Sequence, residues 1–449
     1  MAADNIQETY LTFQRERESN ARAYSRHFPF ILQKAQGVMV TDVEGKHYYD
    51  CLAGAGTLAL GHNHEVIVAA IRDVLAQQIP LHTLDLATPL KIEFMQEILA
   101  ILPEKLKHVA KIQFCGPTGA DAVEAAIKLV KHATKGKSIF AFQGGYHGST
   151  QATMSMSGNL SKKQHLQSLL PDVHFLPFPY EYRCPFGVGK GMTATISAQY
   201  IEHLLDDCES GIANPCCVIV ETVQGEGGVI PADITWLQQL RKMTAERNIP
   251  LIIDEVQTGI GRTGKMFSFE HAGIVPDVII CSKAIGGSLP MSVVIYHGAL
   301  DQWRAGAHTG TFRGNQLAMA TGLATLRYLR ERDVLHNVEE RSAQFFTALN
   351  QMQQQYPEIG DVRGKGLMIG VEIVNPQKPL DRLGHYPPDG RLAATIQKKC
   401  FEHGLMIEVG GRKGAVLRFL PPLIITKTET EKVLDIFATS VQQAVALHA

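Results

Sequence analysis

The chain has 449 residues, with 43 Lys and Arg against 44 Asp and Glu and an apolar share of 45%. That length exceeds one simple core and predicts two or three domains, while a net charge of −1 argues against nucleic acid or an anionic membrane surface as an obligate partner. Eight scattered cysteines without a CxxC, a polar and acidic start, and no apolar run of about 18 residues predict a cytoplasmic protein with no disulfide framework, no zinc site and no membrane span.

From the N-terminus, residues 4–20 predict a polar surface helix, and Val38–Asp50 alternates around Glu44-Gly45 as a β-hairpin does. Cys51–His64, CLAGAGTLALGHNH, reads as a glycine-rich loop. Its GAGTLA fits a dinucleotide-binding fingerprint only superficially, because Gly61 and His62-Asn63-His64 stand where a helix has to continue. His62 and His64 have no ligand cluster beside them and are expected as satisfied loop histidines, not metal ligands. Helical periodicity covers Glu65–Ala76 and Pro89–Leu102. In Ile112–Lys131 a short strand runs into Gly116-Pro117-Thr118-Gly119, and Ala120 begins an amphipathic helix. The backbone N–H groups of that turn make either a phosphate cradle or a plain strand-to-helix connection. Ser138–Phe142 is a buried strand followed by Gly144-Gly145-Tyr146-His147-Gly148, where Tyr146 is either an ordinary loop aromatic or a ring that lies flat on a cofactor. Residues 156–195 show no period and predict a long surface excursion. Cys217–Glu221 is a further strand, leading into TVQGEGG with Glu226, and Ile234–Arg247 a helix.

The stretch that follows organises the rest. Leu251–Ile253 ends in Asp254 and Glu255, and Val278–Cys281 ends at Ser282-Lys283 before a glycine pair. Short β-branched runs of this kind read as buried parallel strands, and ligands sit at the carboxyl ends of such strands. An acid at one strand end and a lysine after the next therefore face one pocket. Pyridoxal 5′-phosphate (PLP) chemistry wants this pair: the lysine takes the cofactor's aldehyde, and the carboxylate keeps the pyridine nitrogen protonated. Taken alone, the two residues fit equally a solvated loop lysine and a helix-capping aspartate. Gly259–Lys265 matches GxxxxGK, but Met266 stands where a Ser or Thr would hold magnesium and no helical run follows, which argues against a P-loop. Beyond Pro290 come His308–Asn315 (HTGTFRGN), helices over Leu317–Arg332 and on to about Gln355, strands at Leu367–Ile373 and Val416–Phe419, and helices at Leu392–His403 and Lys427–Ala446. Arg412-Lys413 is expected as a solvated hairpin tip. Strand and helix in alternation predict an α/β protein with a mainly parallel sheet. The expected division is 1–70 as an N-terminal segment and part of a small domain, 71–325 as the large domain, and 326–449 as the rest of the small domain.

Together and in order, these motifs resemble the class III aminotransferases of PLP fold type I over essentially residues 20–445. The resemblance implies a large mainly parallel-sheet domain and a small α+β domain built from both chain ends. It implies that Lys283 carries PLP, that Asp254 partners the pyridine nitrogen, and that Gln257 contacts the ring's phenolic oxygen. Tyr146, next to His147, would stack on the ring face, and Thr118, Gly119 and Ala120 would bind the phosphate. Thr311 would reach the phosphate of a neighbouring subunit, which implies a homodimer with active sites at the interface. Arg418, in VLRFLPPL, would grip the α-carboxylate of glutamate and 2-oxoglutarate, and Glu226 would pair with it when the other substrate is bound. No metal is implied. Ser149 stands where γ-aminobutyrate and ornithine members carry an arginine for the far carboxylate. CLAGAGTLALGHNH, with ESNARAY at 18–24, is similar instead to the branch that moves an amino group between glutamate and aspartate 4-semialdehyde, giving L-2,4-diaminobutyrate. A decarboxylase or aminomutase of the same fold would keep Lys283 and Asp254 but need no 2-oxoglutarate, so Arg418 with Glu226 argues against both.

Overall fold

Seven short strands make the central sheet of this computed structural model, which describes residues 6–213 and 215–448. Their order is Ala110–Phe114, Val293–His297, Val278–Cys281, Leu251–Asp254, Pro215–Val220, Ser138–Phe142 and Val173–Leu176. Every pairing is parallel except the two made by Val293–His297. Alternate side chains of one strand enter two different cores. Ile252 and Ile280 pack with the helix Gly119–Thr134, while Ile253, Ile279 and Cys281 join the larger core around Trp236 and Phe142. With both faces covered, these runs have no side on which a polar residue could reach water, which is why they read as continuous apolar stretches. Asp254 ends one of these strands and Lys283 lies just past another, at the sheet edge where the site lies.

The helix Gly119–Thr134 places Ala122, Val123, Ala126, Ile127 and Val130 on one buried stripe. Thr118 caps it by accepting from the Asp121 N–H at 3.2 Å. Most expected elements stand within one or two residues of their sequence bounds, among them Glu65–Ala76, Ser138–Phe142 and Val416–Phe419. The N-terminal helix runs Ile6–Arg17, and positions 4 and 5 lie outside the described residues. Three strands correct the sequence reading. Val173–Leu176 interrupts the stretch 156–195, Val293–His297 enters the central sheet antiparallel, and Ile359–Lys365 pairs with Met368–Ile373.

A second sheet, antiparallel, has the order Ile359–Lys365, Met368–Ile373, Val416–Phe419, Glu408–Gly410. A third combines Leu32–Gln36 and the hairpin Met39–Asp42/His47–Asp50 with Leu405–Met406, which lies parallel to His47–Asp50 and joins the two chain ends. His62 bonds Asp50 at 2.8 Å, and His64 accepts from the Val66 N–H that opens the next helix, so both histidines are satisfied. In the GxxxxGK stretch, buried Arg262 donates to the carbonyls of Leu367 and Pro421, clamping the second sheet. All eight cysteines are free, and Cys208 alone is exposed. Among the described residues no helix is long and apolar enough to cross a membrane.

Candidate active site

Leu251–Asp254 and Val278–Cys281 run side by side with Asp254 opposite Ile280, so both leave the sheet at the same edge. The turn after Ala110–Phe114 arrives there too. A Cβ added at Gly119 would lie 3.0 Å from Val256 and 3.6 Å from Ser282. The start of the helix, the segment after Asp254 and the residue before Lys283 thus meet at one point, where a side chain larger than glycine would crowd Val256. Beside it opens a cavity of about 450 Å³ lined by Thr118, Gly119, Ala120, Tyr146, His147, Glu226, Asp254, Gln257 and Lys283. Nine of the sequence-predicted site residues are therefore brought together.

Asp254 is buried at the floor of this cavity. One oxygen accepts the Val256 N–H at 3.0 Å, a cap-like turn, and the other bonds His147 Nδ1 at 2.7 Å. Burial alone would lower the imidazole's proton affinity, but the Asp254 carboxylate outweighs it and holds His147 above the usual histidine range. Behind His147 lies Glu221, whose carboxylate accepts the N–H groups of Tyr146 and Gly225 at 2.8 and 2.9 Å. Burial pushes the Glu221 carboxyl up to about 7. Glu221 directly follows the strand Pro215–Val220 as Asp254 closes its own; sequence reasoning did not single it out, although an acid at a parallel strand end was the signal that could have found it. Glu255 faces the other way, bonded to Thr258, Ser268 and the Phe269 N–H.

Lys283 opens a 3₁₀ turn with φ of 51°, in the left-handed region that a non-glycine residue rarely adopts. Burial lowers its amine below the usual lysine range, with Glu226 opposing that shift and Arg418 adding to it. Gln257 donates to the Ala55 carbonyl at 3.1 Å, and a Cβ on Gly225 would come within 2.1 Å of its Oε1. Tyr146 shares a hydrogen bond with Ser149 at 3.0 Å.

Arg418 is not on the cavity wall. It is buried, with half-buried Glu226 between it and the cavity, bonding its Nη2 at 2.8 Å. Glu408, its cross-strand neighbour, approaches the same Nη2 to 2.6 Å, too poorly aligned to count as a hydrogen bond. Arg418 Nε and Nη1 have no hydrogen-bond partner among the described residues. Burial opposes the guanidinium's charge, yet the two carboxylates hold it above the usual arginine range. Burial raises the Glu226 carboxyl, but Arg418 outweighs it and leaves Glu226 below the usual carboxylate range; Glu408 stays above that range, with burial the largest cause. Sequence reasoning missed Glu408, because only the pairing of two strands makes it Arg418's neighbour. Thr311 is also off the cavity of its own chain, on an exposed 3₁₀ turn whose carbonyl accepts from His82.

The description Aminotransferase class-III fits residues 20–441. A diaminobutyrate–2-oxoglutarate aminotransferase of Rhizobium meliloti is 51% identical over 98% of this chain and 93% of its own length. One of Haemophilus influenzae, of the same name, is 51% identical over 95% of this chain and 93% of its own. The fold matches an ornithine aminotransferase of Toxoplasma gondii whose crystals hold PLP at partial occupancy in the active site, with a TM-score of 0.81 at 24% identity over 98% of this chain and 95% of that one. With a strand-end acid and lysine, a helix start and a guarded arginine assembled at one sheet edge, the chain belongs to the class III aminotransferases.

Proposed function

We propose that the protein uses PLP to transfer the 4-amino group of L-2,4-diaminobutyrate to 2-oxoglutarate, giving L-aspartate 4-semialdehyde and L-glutamate. The residues present fit the cofactor. Asp254 offers a buried carboxylate, bonded to His147, that suits a protonated pyridine nitrogen. The first amides of the helix at Gly119 have no intrahelical acceptor and suit a phosphate, as does the helix dipole. The absence of a Cβ at Gly119 keeps that approach open. When bound, PLP supplies an electron sink for the carbon that loses its proton.

The chain's own residues do the rest. Lys283 has to be neutral when it acts as nucleophile or accepts a proton, and burial lowers its proton affinity in that direction. Gln257 and Tyr146 both line the cavity. The observation that carries the reading is Arg418, buried with two unused donors behind Glu226. A carboxylate that displaces Glu226 meets a planar bidentate fork. An amine donor with no carboxylate at that end leaves Glu226 in place, so the arginine is never an unpaired buried cation. One pocket then serves both halves of a ping-pong cycle. The names of the two half-identical relatives support diaminobutyrate as the amine.

The proposal includes a homodimer, which the exposed turn at Thr311 supports, and a cytoplasmic setting, with which free cysteines agree. The division 1–70, 71–325 and 326–449 belongs to the same proposal. The test is one preparation assayed with diaminobutyrate, γ-aminobutyrate, ornithine and N-acetylornithine, with nitrogen-labelled amine followed into glutamate. Diaminobutyrate is expected to turn over fastest; fastest turnover of γ-aminobutyrate, or label absent from glutamate, overturns the proposal.

A further inference from the structure

A substrate whose terminal amine meets Lys283 must place its carboxylate at the other end of the molecule, away from Arg418. Position 149 offers it no charge: it is a serine whose hydroxyl is engaged by Tyr146. A second cavity, of about 760 Å³, opens beside the first and shares Tyr146 and Glu226 with it. Four cations line it, Lys162, Lys163, Arg412 and Lys413, and Glu226 is the single acid, already committed to Arg418. Three of the four are occupied or remote. Lys163 is buried against the Phe175 ring at 4.4 Å, Arg412 lies on the Tyr180 ring at 5.1 Å, and Lys413 sits at the outer tip of its turn. Lys162 is different. It is exposed, its ammonium stands 5.2 Å from the centre of the Tyr146 ring, and among the described residues no carboxylate lies within ion-pair distance of it. Its field reaches Glu226, where it helps hold that carboxyl below the usual range.

We infer that Lys162 is a specificity-determining residue that receives the far carboxylate of the substrate across the Tyr146 ring. The inference rests on the proposed reading that a terminal amine is the reacting group. In diaminobutyrate and in glutamate three carbons separate the reacting nitrogen from the far carboxylate, and a flexible ammonium is a point charge that can meet both. The same lysine therefore meets the C1 carboxylate of diaminobutyrate in one half-reaction and the γ-carboxylate of glutamate or 2-oxoglutarate in the other.

The experiment compares the PLP-loaded wild type with Lys162→Met and Lys162→Arg in steady state. Diaminobutyrate and 1,3-diaminopropane, the same molecule without its carboxylate, are each measured as substrate and as competitive inhibitor. Lys162→Met is expected to raise KM for diaminobutyrate about tenfold with kcat little changed, as loss of one charge-assisted contact does. Lys162→Arg should restore most of that loss, and 1,3-diaminopropane should be indifferent to both changes. An unchanged KM in Lys162→Met, no rescue by arginine, or an equal penalty on 1,3-diaminopropane overturns the inference. If the wild type fails to use diaminobutyrate, the functional reading falls by itself. KM for glutamate in the same three proteins then decides Lys162, because its γ-carboxylate would meet the same ammonium.

Discussion

At the scale of single residues, the proposed function divides the chemistry between Lys283 and Asp254, which line one cavity. Lys283→Ala is expected to abolish turnover. Asp254→Asn keeps the shape but removes the charge that His147 and a pyridine nitrogen share, so kcat should fall by about 10²–10³ while cofactor absorbance persists after gel filtration. A variant that stays fully active would remove Asp254 from the site. Glu226→Ala leaves Arg418 with only the badly aligned Glu408. The half-reaction with diaminobutyrate should slow about tenfold or more and the half-reaction with glutamate much less, read by stopped-flow absorbance; equal damage to both would end the gating argument.

At the scale of elements, the turn that carries Lys283 depends on a close approach. Gly287, with φ of +54°, sits so near the helix Gln316–Glu331 that a Cβ would meet the Thr321 carbonyl at 2.2 Å, and Thr321 in turn donates to the Gly286 carbonyl at 2.7 Å. Gly287→Ala should destabilise the protein by about 1–3 kcal/mol and reduce activity by displacing Lys283, measured by urea unfolding alongside kcat. This level of organisation is only partly written in local pattern. Asp254, Lys283 and the helix start at Gly119 were legible because each marks the abrupt end of an apolar run. Val293–His297 shows a β-branched run, yet its antiparallel direction comes from its two partners, and Val173–Leu176 is too short, between Pro171 and Pro177, to announce itself. Glu408 could not be tied to Arg418 before the register of Glu408–Gly410 on Val416–Phe419 was known.

At the scale of the whole molecule, buried Glu255 makes stability depend on pH. Burial pushes its carboxyl up to about 7, so between the unfolded value near 4.5 and about 7 the folded state binds more protons. Unfolding free energy should therefore fall as pH rises through that window, by up to a few kcal/mol from this group. Glu255→Gln should flatten the decline in a pH series of denaturant melts, and an unchanged slope would show that Glu255 is not its source. Another dependence is built into the connectivity. The segment His47–Ala59 is held by the far end of the chain: Tyr49 donates to the Gly404 carbonyl and Cys51 to that of Met406, while Leu420 and Leu423 donate back to Cys51 and Ala59. On the ribosome, the Ala55 carbonyl that fixes Gln257 waits in an unanchored stretch until almost all of translation is over. Nascent chains released early would carry the central sheet but a loose rim, and would be natural clients for chaperones.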